Sequence, residues 1–496
     1  MLKSKEGSLM ICKAITELNE YNALVIPVEE GKGIVIELPA AVNEAVSLAA
    51  EGFVGKKSET KVLTMPVEGK LVSVILIGLG DGSGHSKNRF TAFAVAMQEC
   101  KKVKAEKITV LMDNAPHLCK CPNVKMKAVE AFHLANYSFN QFKTHPQESP
   151  VKEVSFLSSD AEAMAHAVWE GNICAEGTMK ARDVVNTPSM AMSPEDLAKE
   201  ARKAGAACGF NVRVLEKEQI LAHKMGAFWA VGKGSAHEPR LIIMEYHGAD
   251  PDEAAIALVG KGVMYDSGGY NLKSSLTYLY TDMAGGGAVL GAMIAIAKAK
   301  LKVNVYGVIP ACENILSKDS YLPGDIVTAM NGKTVEVDNT DAEGRMVLAD
   351  ALTYAFRELK VAKAIDAATL TGAVTAALGT RTAAFMTNDD ELRQLINTAS
   401  GRSCEKMWEL PLDEELRPSL NSHIADIKNS VGASNMGGGS IVGGLFLQEF
   451  VDGKPWAHLD IAAVNRDLSG SQPHSAKGGS GFGASLMYHI VKQLQK

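Results

Sequence analysis

Ala255 to Gly269 read AIALVGKGVMYDSGG, and this stretch decides the fold that the 496-residue sequence predicts. Its first part is a continuous apolar run, so we predict a buried strand over Ala255–Val263, of the kind found in parallel sheets covered on both faces. The run leads into Lys261 and Asp266 and then into two glycines. Because ligands of open parallel sheets bind beyond the carboxyl ends of the strands, the stretch predicts an α/β fold and the position of its site.

Short apolar runs and helical patterns alternate on both sides of this stretch, which indicates mostly parallel sheets flanked by helices. In the second half, further strands are predicted at Arg213–Leu215, Leu241–Tyr246, Val303–Val308, Ala364–Ala368 and Trp456–Ile461, with helices at Pro194–Ala206, Gly287–Lys298, Met346–Leu359 and Ala484–Gln495. In the first third, strands are predicted at Ala23–Pro27, Lys61–Met65, Leu71–Ile77, Lys107–Met112 and Val154–Leu157, with helices at Pro39–Glu51 and Phe90–Val103.

A long helical pattern, Asp160–Val184, separates the two alternating regions and ends before Asn186-Thr187-Pro188, a strong helix stop. The length of the chain also favours two domains over one. We therefore predict two α/β domains, each a mostly parallel sheet flanked by helices, joined by a long linker helix. The predicted bounds are 1–159 for the N-terminal domain, 160–187 for the linker helix and 188–496 for the second domain.

Composition and charge disfavour several classes of partner. Apolar residues make up 46% of the chain and charged residues 22%, the ordinary mix of a globular protein, and the formal net charge is −6. A nucleic-acid-binding domain would be clearly basic, so nucleic acid is disfavoured. No apolar run approaches the roughly 20 residues that span a bilayer, so no membrane contact is expected. The eight cysteines are scattered without a disulfide framework, which favours reduced thiols and a cytoplasmic location.

Three local motifs have a functional interpretation that a structural one outweighs. Gly78–Gly84 follows a strand and precedes a helix, but its spacing G-x-G-x-G-x-G differs from that of a dinucleotide-binding loop, so a turn is favoured. His117, Cys119 and Cys121 match no common zinc pattern, so a plain loop is favoured. His458 lies on an apolar strand and is expected to be a hydrogen-bonded core histidine.

The charged residues of the second half suggest a metal site with four carboxylates. These are Asp266, Asp282, Asp341 and Glu343. The segment NTDAEGR, at residues 339–345, would place Asp341, Glu343 and Arg345 on one face if it were extended. Four converging carboxylates raise one another's pKa, whereas two divalent cations would balance their charge. Separate carboxylates at helix starts, which the helix dipole favours, are the structural alternative.

The segment Asn339–Arg345 resembles the signature heptapeptide of the leucyl (cytosol) aminopeptidase family, whose members are two-metal exopeptidases. Ala181–Pro188 resembles the linker-end motif of that family. Further segments that fit are Met225–Phe228, Lys261–Lys273, Pro323–Asp325, Ala368–Ala373 and Trp456–Ile461. The resemblance covers the whole second domain and implies a hydrolase that removes the N-terminal residue of peptides, with a broad or leucine-like preference. It also implies a homohexamer.

The resemblance implies a role for each predicted metal ligand. Asp266 and Glu343 match the residues that bridge two divalent metals, either Mn²⁺ or Zn²⁺. Lys261 and Asp282 match the remaining ligands of the tighter site, and Asp341 matches the remaining ligand of the more exchangeable one. A lysine binds a metal only as the neutral amine, so a bound dication must depress its pKa.

The same resemblance implies the catalytic and substrate-binding residues. Lys273 and Arg345 match the two cationic catalytic residues, with a bicarbonate ion as the candidate partner of the arginine. Thr369, Leu370 and Gly372 match residues that hold the substrate main chain and line the pocket.

The loop between Lys273 and Asp282 departs from the family pattern. It reads SSLTYLYT at residues 274–281, which is shorter and poorer in methionine than is usual in the family. Leu279 in this loop is implied to contact the first side chain of the substrate. The loop therefore leaves the first-residue preference open, and the sequence also leaves open the native metal and the physiological peptide.

Three other functions remain open from the residues. A metal-dependent phosphatase also uses paired metals and carboxylates, and it predicts phosphoester hydrolysis without a need for a free amine. A DNA-binding regulator predicts a basic stripe, which the net charge of −6 disfavours. A nicotinamide-dependent dehydrogenase would use Gly78–Gly84 and would bind its cofactor in a titration.

Overall fold

The computed structural model describes residues 10–82, 86–115, 117, 121–431 and 437–495. Contacts along the chain divide it into two compact units. The bounds are Met1–Ala175, Gly401–Cys404 and Asp467–Lys477 for the first unit, and Glu176–Ser400, Glu405–Arg466 and Gly478–Lys496 for the second. Two short segments from late in the chain therefore belong to the first unit, which no sequence pattern indicates.

The first unit is built on a six-stranded sheet. Its strands are β1 (Ile11–Ile15), β2 (Ala23–Glu29), β3 (Thr60–Val67), β4 (Lys70–Gly80), β5 (Lys107–Leu111) and β6 (Glu153–Leu157), and its helices are α1 (Ala40–Ala50), α2 (Ser86–Lys102) and α3 (Pro122–Asn136). The order is β1-β6-β5-β2-β4-β3, and the neighbouring pairs are parallel except β3 with β4. The predicted mostly parallel sheet with helices is confirmed.

Two elements of this unit were missing from the sequence prediction. β1 lies at the edge of the sheet and pairs with β6, although Lys13 interrupts its short apolar run. α3 buries Lys127 and Glu130, which form an ion pair inside the unit. Paired charges on a buried helix face hide the apolar periodicity from which a helix is predicted.

The predicted linker is a single helix, α4, of 26 residues at Ala161–Asn186. The boundary between the two units along the sequence falls inside it, after Ala175. Thr187 closes the helix, because its backbone N–H and its hydroxyl both donate to Asp183 O, at 3.2 and 2.7 Å. Pro188 then disfavours a further helical turn.

The second unit is built on a nine-stranded sheet. Its strands and the smaller ones beside it are β7 (Asn211–Leu215), β8 (Arg240–His247), β9 (Ile256–Gly260), β10 (Gly262–Asp266), β11 (Asn304–Asn314), β12 (Ile326–Thr328), β13 (Thr334–Glu336), β14 (Lys363–Ala368), β15 (Ala383–Thr387), β16 (Met407–Glu409), β17 (Ile427–Lys428), β18 (Trp456–Asp460), β19 (Arg466–Asp467) and β20 (Gly478–Gly479). The order of the large sheet is β16-β15-β18-β14-β9-β11-β8-β7, and β10 pairs with β11. The central pairs from β18 to β11 are parallel, whereas β15–β18, β8–β11 and β7–β8 are antiparallel.

Helices accompany this sheet throughout the second unit. They are α5 (Pro194–Cys208), α6 (Lys217–Ala222), α7 (Gly226–Gly232), α8 (Ala284–Lys298), α9 (Glu343–Arg357), α10 (Ala373–Leu378), α11 (Asp390–Ser403), α12 (Gly439–Gln448) and α13 (Ala484–Lys492). α8 and α9 both pack against the central strands β9, β11 and β14. Apart from the strand Ala255–Val263, the helices and strands predicted for this half are present, with ends that differ by up to six residues.

The predicted strand Ala255–Val263 is wrong as a single element, because the structure has two strands there, β9 and β10. The break falls at Lys261. Its N–H donates to Ala367 O at 3.0 Å, and its carbonyl accepts from Gly286 N at 2.8 Å. The backbone of this lysine leaves the ladder of its own strand but keeps both hydrogen bonds, as a buried backbone must.

One stretch of the described residues, Leu279–Lys298, is long and apolar enough to cross a membrane by length and composition alone. The sequence shows no continuous apolar run of that length, because Asp282 and three glycines interrupt it. In the structure 83% of its most apolar window is buried inside the protein. Such burial is typical of a core helix.

A buried carboxyl group ties α9 to two other segments of the second unit. Asp350 Oδ2 accepts from Phe228 N in α7 at 2.8 Å, and its Oδ1 accepts from Met330 N at 2.7 Å. Burial raises the pKa of Asp350 to about 7, against the effect of these backbone donors. Since this pKa lies above that of an unfolded chain, the stabilisation by Asp350 is present at acid pH and declines as the pH rises through about 7.

We expect Asp350→Ala to lower the free energy of unfolding by about 2–5 kcal/mol, because each buried N–H left without an acceptor costs about 1–3 kcal/mol. Denaturant unfolding at pH 5 and pH 8 measures the change, and the loss should be larger at pH 5. Asp389→Ala is the control, because it removes a cap bond to Leu392 N at the half-exposed start of α11 and should cost only about 1 kcal/mol. Equal losses in the two variants would contradict the bridging role of Asp350.

Candidate active site

The predicted site residues come together at the carboxyl ends of parallel strands. Lys261 follows β9, Asp266 ends β10 and Thr369 follows β14. β9 and β14 are parallel neighbours, so their ends open at the same edge of the sheet. Asp282 lies in the turn that leads into α8, and Glu343 is the first residue of α9.

Lys261 is buried among oxygen acceptors. Its ammonium lies 2.7 Å from Asp282 Oδ2 and 2.7 Å from Glu343 Oε1, and it donates to Thr369 O at 2.9 Å. Burial disfavours the charged form, but the neighbouring carboxylates, led by Asp282, outweigh burial and raise the pKa of Lys261. Gly344 lies directly against this side chain, since a β-carbon at Gly344 would be 2.7 Å from Lys261 Nζ.

Lys273 contacts the other two carboxylates. Its Nζ lies 2.8 Å from Asp266 Oδ2 and also contacts Asp341 Oδ1. Burial disfavours its charge, but Asp266 and Glu343 outweigh burial and raise the pKa of Lys273. Its side chain is 26% exposed, whereas that of Lys261 is 3% exposed. Lys273 is therefore a protonated amine that a molecule entering from solvent can reach.

Asp266, Asp341 and Glu343 each offer a carboxylate oxygen within 4.8 Å of the others. Among the residues that the structure describes, they are the one cluster of this kind. Two buried oxygens nearby, Asp282 Oδ2 and Glu343 Oε1, accept no hydrogen bond of good geometry, although the Lys261 ammonium is close to both. Oxygen acceptors that lack donors suit a divalent cation.

The raised pKa values of these carboxyl groups also indicate a site for divalent cations. Burial, reinforced by Asp266, raises the pKa of Glu343 to about 8 although Lys261 opposes the change. Burial also raises the pKa of Asp282 to about 6 and that of Asp341 above its usual value. A dication beside these groups would lower their pKa values and keep them ionised. The residues present therefore fit the predicted pair of divalent metals.

Neighbouring polar groups fix the orientation of Asp266. Its Oδ1 accepts from Gly268 N at 3.0 Å and from Asn314 Nδ2 at 2.8 Å. Asn314 is fully buried at the end of β11 and also donates to Thr340 O at 2.9 Å, which links the two acidic segments. Asn314 was not among the predicted site residues, because the predicted strand Val303–Val308 ends well before the true end of β11.

The interpretation of residues 339–345 as an extended segment is wrong. Glu343 and Arg345 lie in the first turn of α9, and Asp341 precedes that helix. The three side chains still meet the strand ends, because the turn brings Asp341 back towards Asp266 and Glu343. Glu343 also lies at a helix start, where the positive end of the helix dipole favours a carboxylate. For this residue, the position at a helix start and the place in the acidic cluster are both observed.

Arg345 is buried beside the carboxylates. Burial lowers its pKa to about 10, while Glu343 and Asp460 oppose that change. Its guanidinium carbon lies 5.9 Å from the ring centre of Phe446, and its Nε has no hydrogen-bond partner among the described residues. A buried planar cation with a free donor can bind a small oxyanion.

The segment Thr369–Gly372 is held from two sides. Thr369 Oγ1 donates to Asp282 Oδ1 at 2.6 Å. Asp460 at the end of β18 accepts from Leu370 N at 3.2 Å and from Thr371 Oγ1 at 2.7 Å. Asp460 is fully buried and was missed as a functional candidate, although it ends a predicted strand at the same edge of the sheet.

The structure places Leu279 and Gly372 beside the hydrogen-bonded cluster and not within it. Leu279 is half-buried in the same turn as Asp282. Leu276 and Tyr278 nearby are exposed, and Arg466 lies 5.9 Å from the ring centre of Tyr278. The loop thus presents apolar side chains near the site.

The turn predicted for Gly78–Gly84 is wrong for its first three residues, because the structure extends β4 through Gly80. A β-carbon at Gly78 would lie 1.9 Å from Lys56 O, so this glycine permits a close backbone contact at the end of β4. Ser83, Gly84 and Cys119 lie outside the described residues. His458 is confirmed as a core histidine, because it is fully buried with its Nδ1 2.6 Å from Asp366 Oδ1.

An α/β fold with clustered carboxylates and two lysines at the carboxyl edge of its sheet defines a metallohydrolase-type centre. The model of the cytosol aminopeptidase family, catalytic domain, matches residues 179–488, and the model of its N-terminal domain matches residues 33–146. The chain belongs to the cytosol aminopeptidase family.

Relatives of known sequence or structure agree with this membership. A probable cytosol aminopeptidase of Clostridium perfringens is 38% identical over 491 residues, which cover 96% of this chain and 98% of that protein. One of Alkaliphilus oremlandii is 39% identical over 496 residues, covering 96% and 97%. A mutant of tomato leucine aminopeptidase superposes with a TM-score of 0.88 at 30% identity and covers 99% of this chain and 98% of its own. The bottromycin maturation enzyme BotP in complex with Mn has a TM-score of 0.84 at 31% identity, with coverage of 96% and 100%.

The chain is therefore a metal-dependent aminopeptidase, a hydrolase that acts on peptides and uses divalent metal ions. The predicted family, fold class and activity are confirmed.

Proposed function

We propose that Lys261, Asp266, Asp282, Asp341 and Glu343 hold two divalent metals, and that Lys273 and Arg345 act on the first peptide bond of the substrate. The observation that carries this proposal is the pairing of both lysines with the acidic cluster. Lys261 contacts Asp282 and Glu343 deep in the protein, and Lys273 contacts Asp266 and Asp341 nearer to solvent. Each lysine thus contacts two of the four carboxylates, one pair deep in the protein and the other pair nearer to solvent.

Each metal ligand has a role in this proposal. Asp266 and Glu343 would help to hold both ions, because they belong to the carboxylate cluster and interact with both lysines. Lys261 and Asp282 complete the buried, tighter site, and Asp341, which is less buried, completes the more exchangeable one. Lys261 serves as a ligand only as the neutral amine, so metal loading releases its proton.

The two metals, when bound, supply a polarised carbonyl and a water of lowered pKa. Lys273 is held in place by Asp266 and Asp341, and its protonated amine lies beside the acidic cluster. It donates to the carbonyl oxygen of the first peptide bond and stabilises the negative charge that develops there. The free α-amine of the substrate is bound beside the acidic cluster, and this contact limits cleavage to the first residue.

Arg345 binds a small oxyanion, with bicarbonate as the candidate, through the donor that its neighbours leave free. An anion held beside the reacting bond can accept and return a proton, a role for which the other side chains of the site offer no evident base. Phe446 covers the guanidinium and limits the access of water to it.

The segment Thr369–Gly372 holds the main chain of the peptide in this proposal, and Leu370 lines the substrate pocket. Its hydrogen bonds to Asp282 and Asp460 keep the segment rigid, so that binding costs little conformational entropy. Leu279 contributes an apolar surface for the first side chain. We therefore propose a broad preference that includes leucine.

We further propose a cytoplasmic enzyme that assembles as a homohexamer. The names of the relatives support the first point, since they are cytosol aminopeptidases. In the functional layout that we propose, residues 188–496 carry out catalysis, residues 160–187 connect, and residues 1–159 serve packing and assembly. Mn²⁺ is the first metal to test, because one structural relative, BotP, has a structure in complex with Mn.

The direct test is the hydrolysis of a panel of amino-acid amides and of their N-acetylated forms. The protein is first dialysed against a chelator and then supplied with Mn²⁺ or Zn²⁺. We expect metal-dependent cleavage of the free-amine substrates, with leucine amide among the better ones, and no cleavage of the acetylated forms.

The acetylated substrates are the matched control, because they differ from the others only at the amine. Their cleavage would remove the amine contact from the mechanism. Failure to cleave any substrate with either metal would contradict the proposed catalytic roles.

A further inference from the structure

A cavity of about 570 Å³ adjoins the candidate active site. Asp341, Arg345 and the segment Leu370–Gly372 form part of its wall, so the cavity opens next to the groups that we assign to catalysis. Its volume falls in the range of roughly 300–1,000 Å³ that is typical of small-molecule sites. The cavity can therefore hold part of a peptide.

The part that it holds is the part beyond the first peptide bond. The loop of residues 274–281, which we assign to the first side chain, contributes no residue to the wall of the cavity. A peptide whose first side chain faces that loop therefore continues into the cavity with its second residue. This step rests on the proposed function.

The lining of the cavity contains both polar and apolar residues. Asn271, Asn339 and Ser430 are polar members of the lining, together with the carboxylate of Asp338. The lining also contains small and apolar residues, including Val442. An aliphatic stem can pack on the apolar residues while a polar end faces Asp338.

Three ionisable side chains line the cavity, and two of them are matched by neighbouring opposite charges. Asp341 contacts Lys273, and Arg345 interacts with Glu343 and Asp460. Asp338 differs from both, because its Oδ2 accepts from the neutral hydroxyl of Ser430 at 2.5 Å. None of the described lysine, arginine or histidine side chains forms an ion pair with Asp338 within 4 Å.

The backbone at Asp338 is fixed. Its N–H donates to Asn429 Oδ1 at 2.9 Å, and the same oxygen accepts from Asn339 N at 3.1 Å. Asn429 is fully buried and also donates to Asn339 O at 2.7 Å. The carboxylate therefore stands at a defined place on the wall and does not move on a flexible loop.

We propose that Asp338 selects peptides with a cationic second residue, lysine or arginine, for hydrolysis by this enzyme. The side-chain stem packs against the apolar residues of the lining, and its charged end pairs with the carboxylate of Asp338. A partly buried pair of opposite charges is worth more than a fully exposed one, so the preference is measurable.

The experiment compares kcat/KM for the dipeptides Leu-Lys, Leu-Gln and Leu-Glu with the metal-loaded full-length enzyme. Glutamine and lysine are both long and polar, so their ratio isolates the charge. We expect Leu-Lys to exceed Leu-Gln by about 5- to 20-fold and Leu-Glu to be the poorest substrate. In Asp338→Asn, which keeps the shape and an acceptor for Ser430, the ratio of Leu-Lys to Leu-Gln should fall to about 1.

Asp319→Asn is the matched control, because Asp319 is exposed, pairs with Lys318 and lies outside the cavity wall. It should keep the wild-type ratio. A wild-type ratio near 1, or an unchanged ratio in Asp338→Asn, would overturn the proposal. If none of the dipeptides is cleaved, the proposed function itself fails, and calorimetric binding of Leu-Lys and Leu-Gln to both proteins then decides the role of Asp338.

Discussion

Gly344→Ala should reduce kcat/KM at least about 100-fold while leaving the thermal stability nearly unchanged, because a misplacement of about 1 Å in a catalytic group can cost that much. A β-carbon at this position would lie 2.7 Å from both Cε and Nζ of Lys261, closer than atoms in contact can approach. The lysine tip must therefore move, and with it the amine that lies beside Asp282 and Glu343. Alanine is also the better helix former, although Gly344 is the second residue of α9, where the gain is smaller than the roughly 1 kcal/mol of a helix interior.

Metal content, melting temperature and kcat/KM measured on the same preparation separate these effects. We expect the metal content to fall with activity, since Lys261 is a proposed ligand of the tighter site. Gly401→Ala is the matched control, because Gly401 is also helical and a β-carbon there would have no atom within 4 Å. Full activity and metal content in Gly344→Ala would show that Lys261 has no role as a ligand.

Lys273→Met and Arg345→Met should each lower kcat by about 100- to 1,000-fold, which is the usual effect of removing a group that stabilises charge in the transition state. Both residues lie beside the acidic cluster but outside the proposed ligand set. Removal of the Lys273 cation takes the nearest positive charge away from Asp266 and Asp341, so the affinity of these carboxylates for a dication should not fall. We therefore expect the metal content to stay within about twofold of the wild type.

Asp282→Asn provides the contrast, because it alters a proposed ligand and should lose metal and activity together. Metal analysis after dialysis, combined with kcat and KM, distinguishes the two classes of variant. A loss of metal from Lys273→Met or Arg345→Met in proportion to the loss of activity would contradict the proposed division between ligands and catalytic residues.

The elements that the sequence predicted correctly are those with uninterrupted apolar patterns. β2 is fully buried and appears as a continuous apolar run, and α4 ends at a proline stop. Elements with buried charges were missed, as in α3, where Lys127 and Glu130 neutralise each other. Local patterns report burial only when the buried residues are apolar.

Some residues of the candidate site could be predicted from the sequence and others could not. The positions of Lys261, Asp266 and Glu343 could be predicted because charged residues directly follow or interrupt buried segments, and because the heptapeptide resembles that of a known family. Asn314 and Asp460 could not be singled out, since each is an ordinary polar residue at a strand end. Their importance comes from the partners that the sheet brings to them, Asp266 for the first and Leu370 for the second.

The amino-acid sequence alone indicates the α/β class, the long helix α4, the residue types of the proposed site and the family that they resemble. These depend on local patterns and on short motifs, which the chain carries without reference to its fold. The folded structure was needed to show that Glu343 and Arg345 start a helix, that Lys261 breaks a strand, and that Asp338 faces a cavity. Those facts depend on contacts between segments far apart in the chain, and no local pattern encodes such distances.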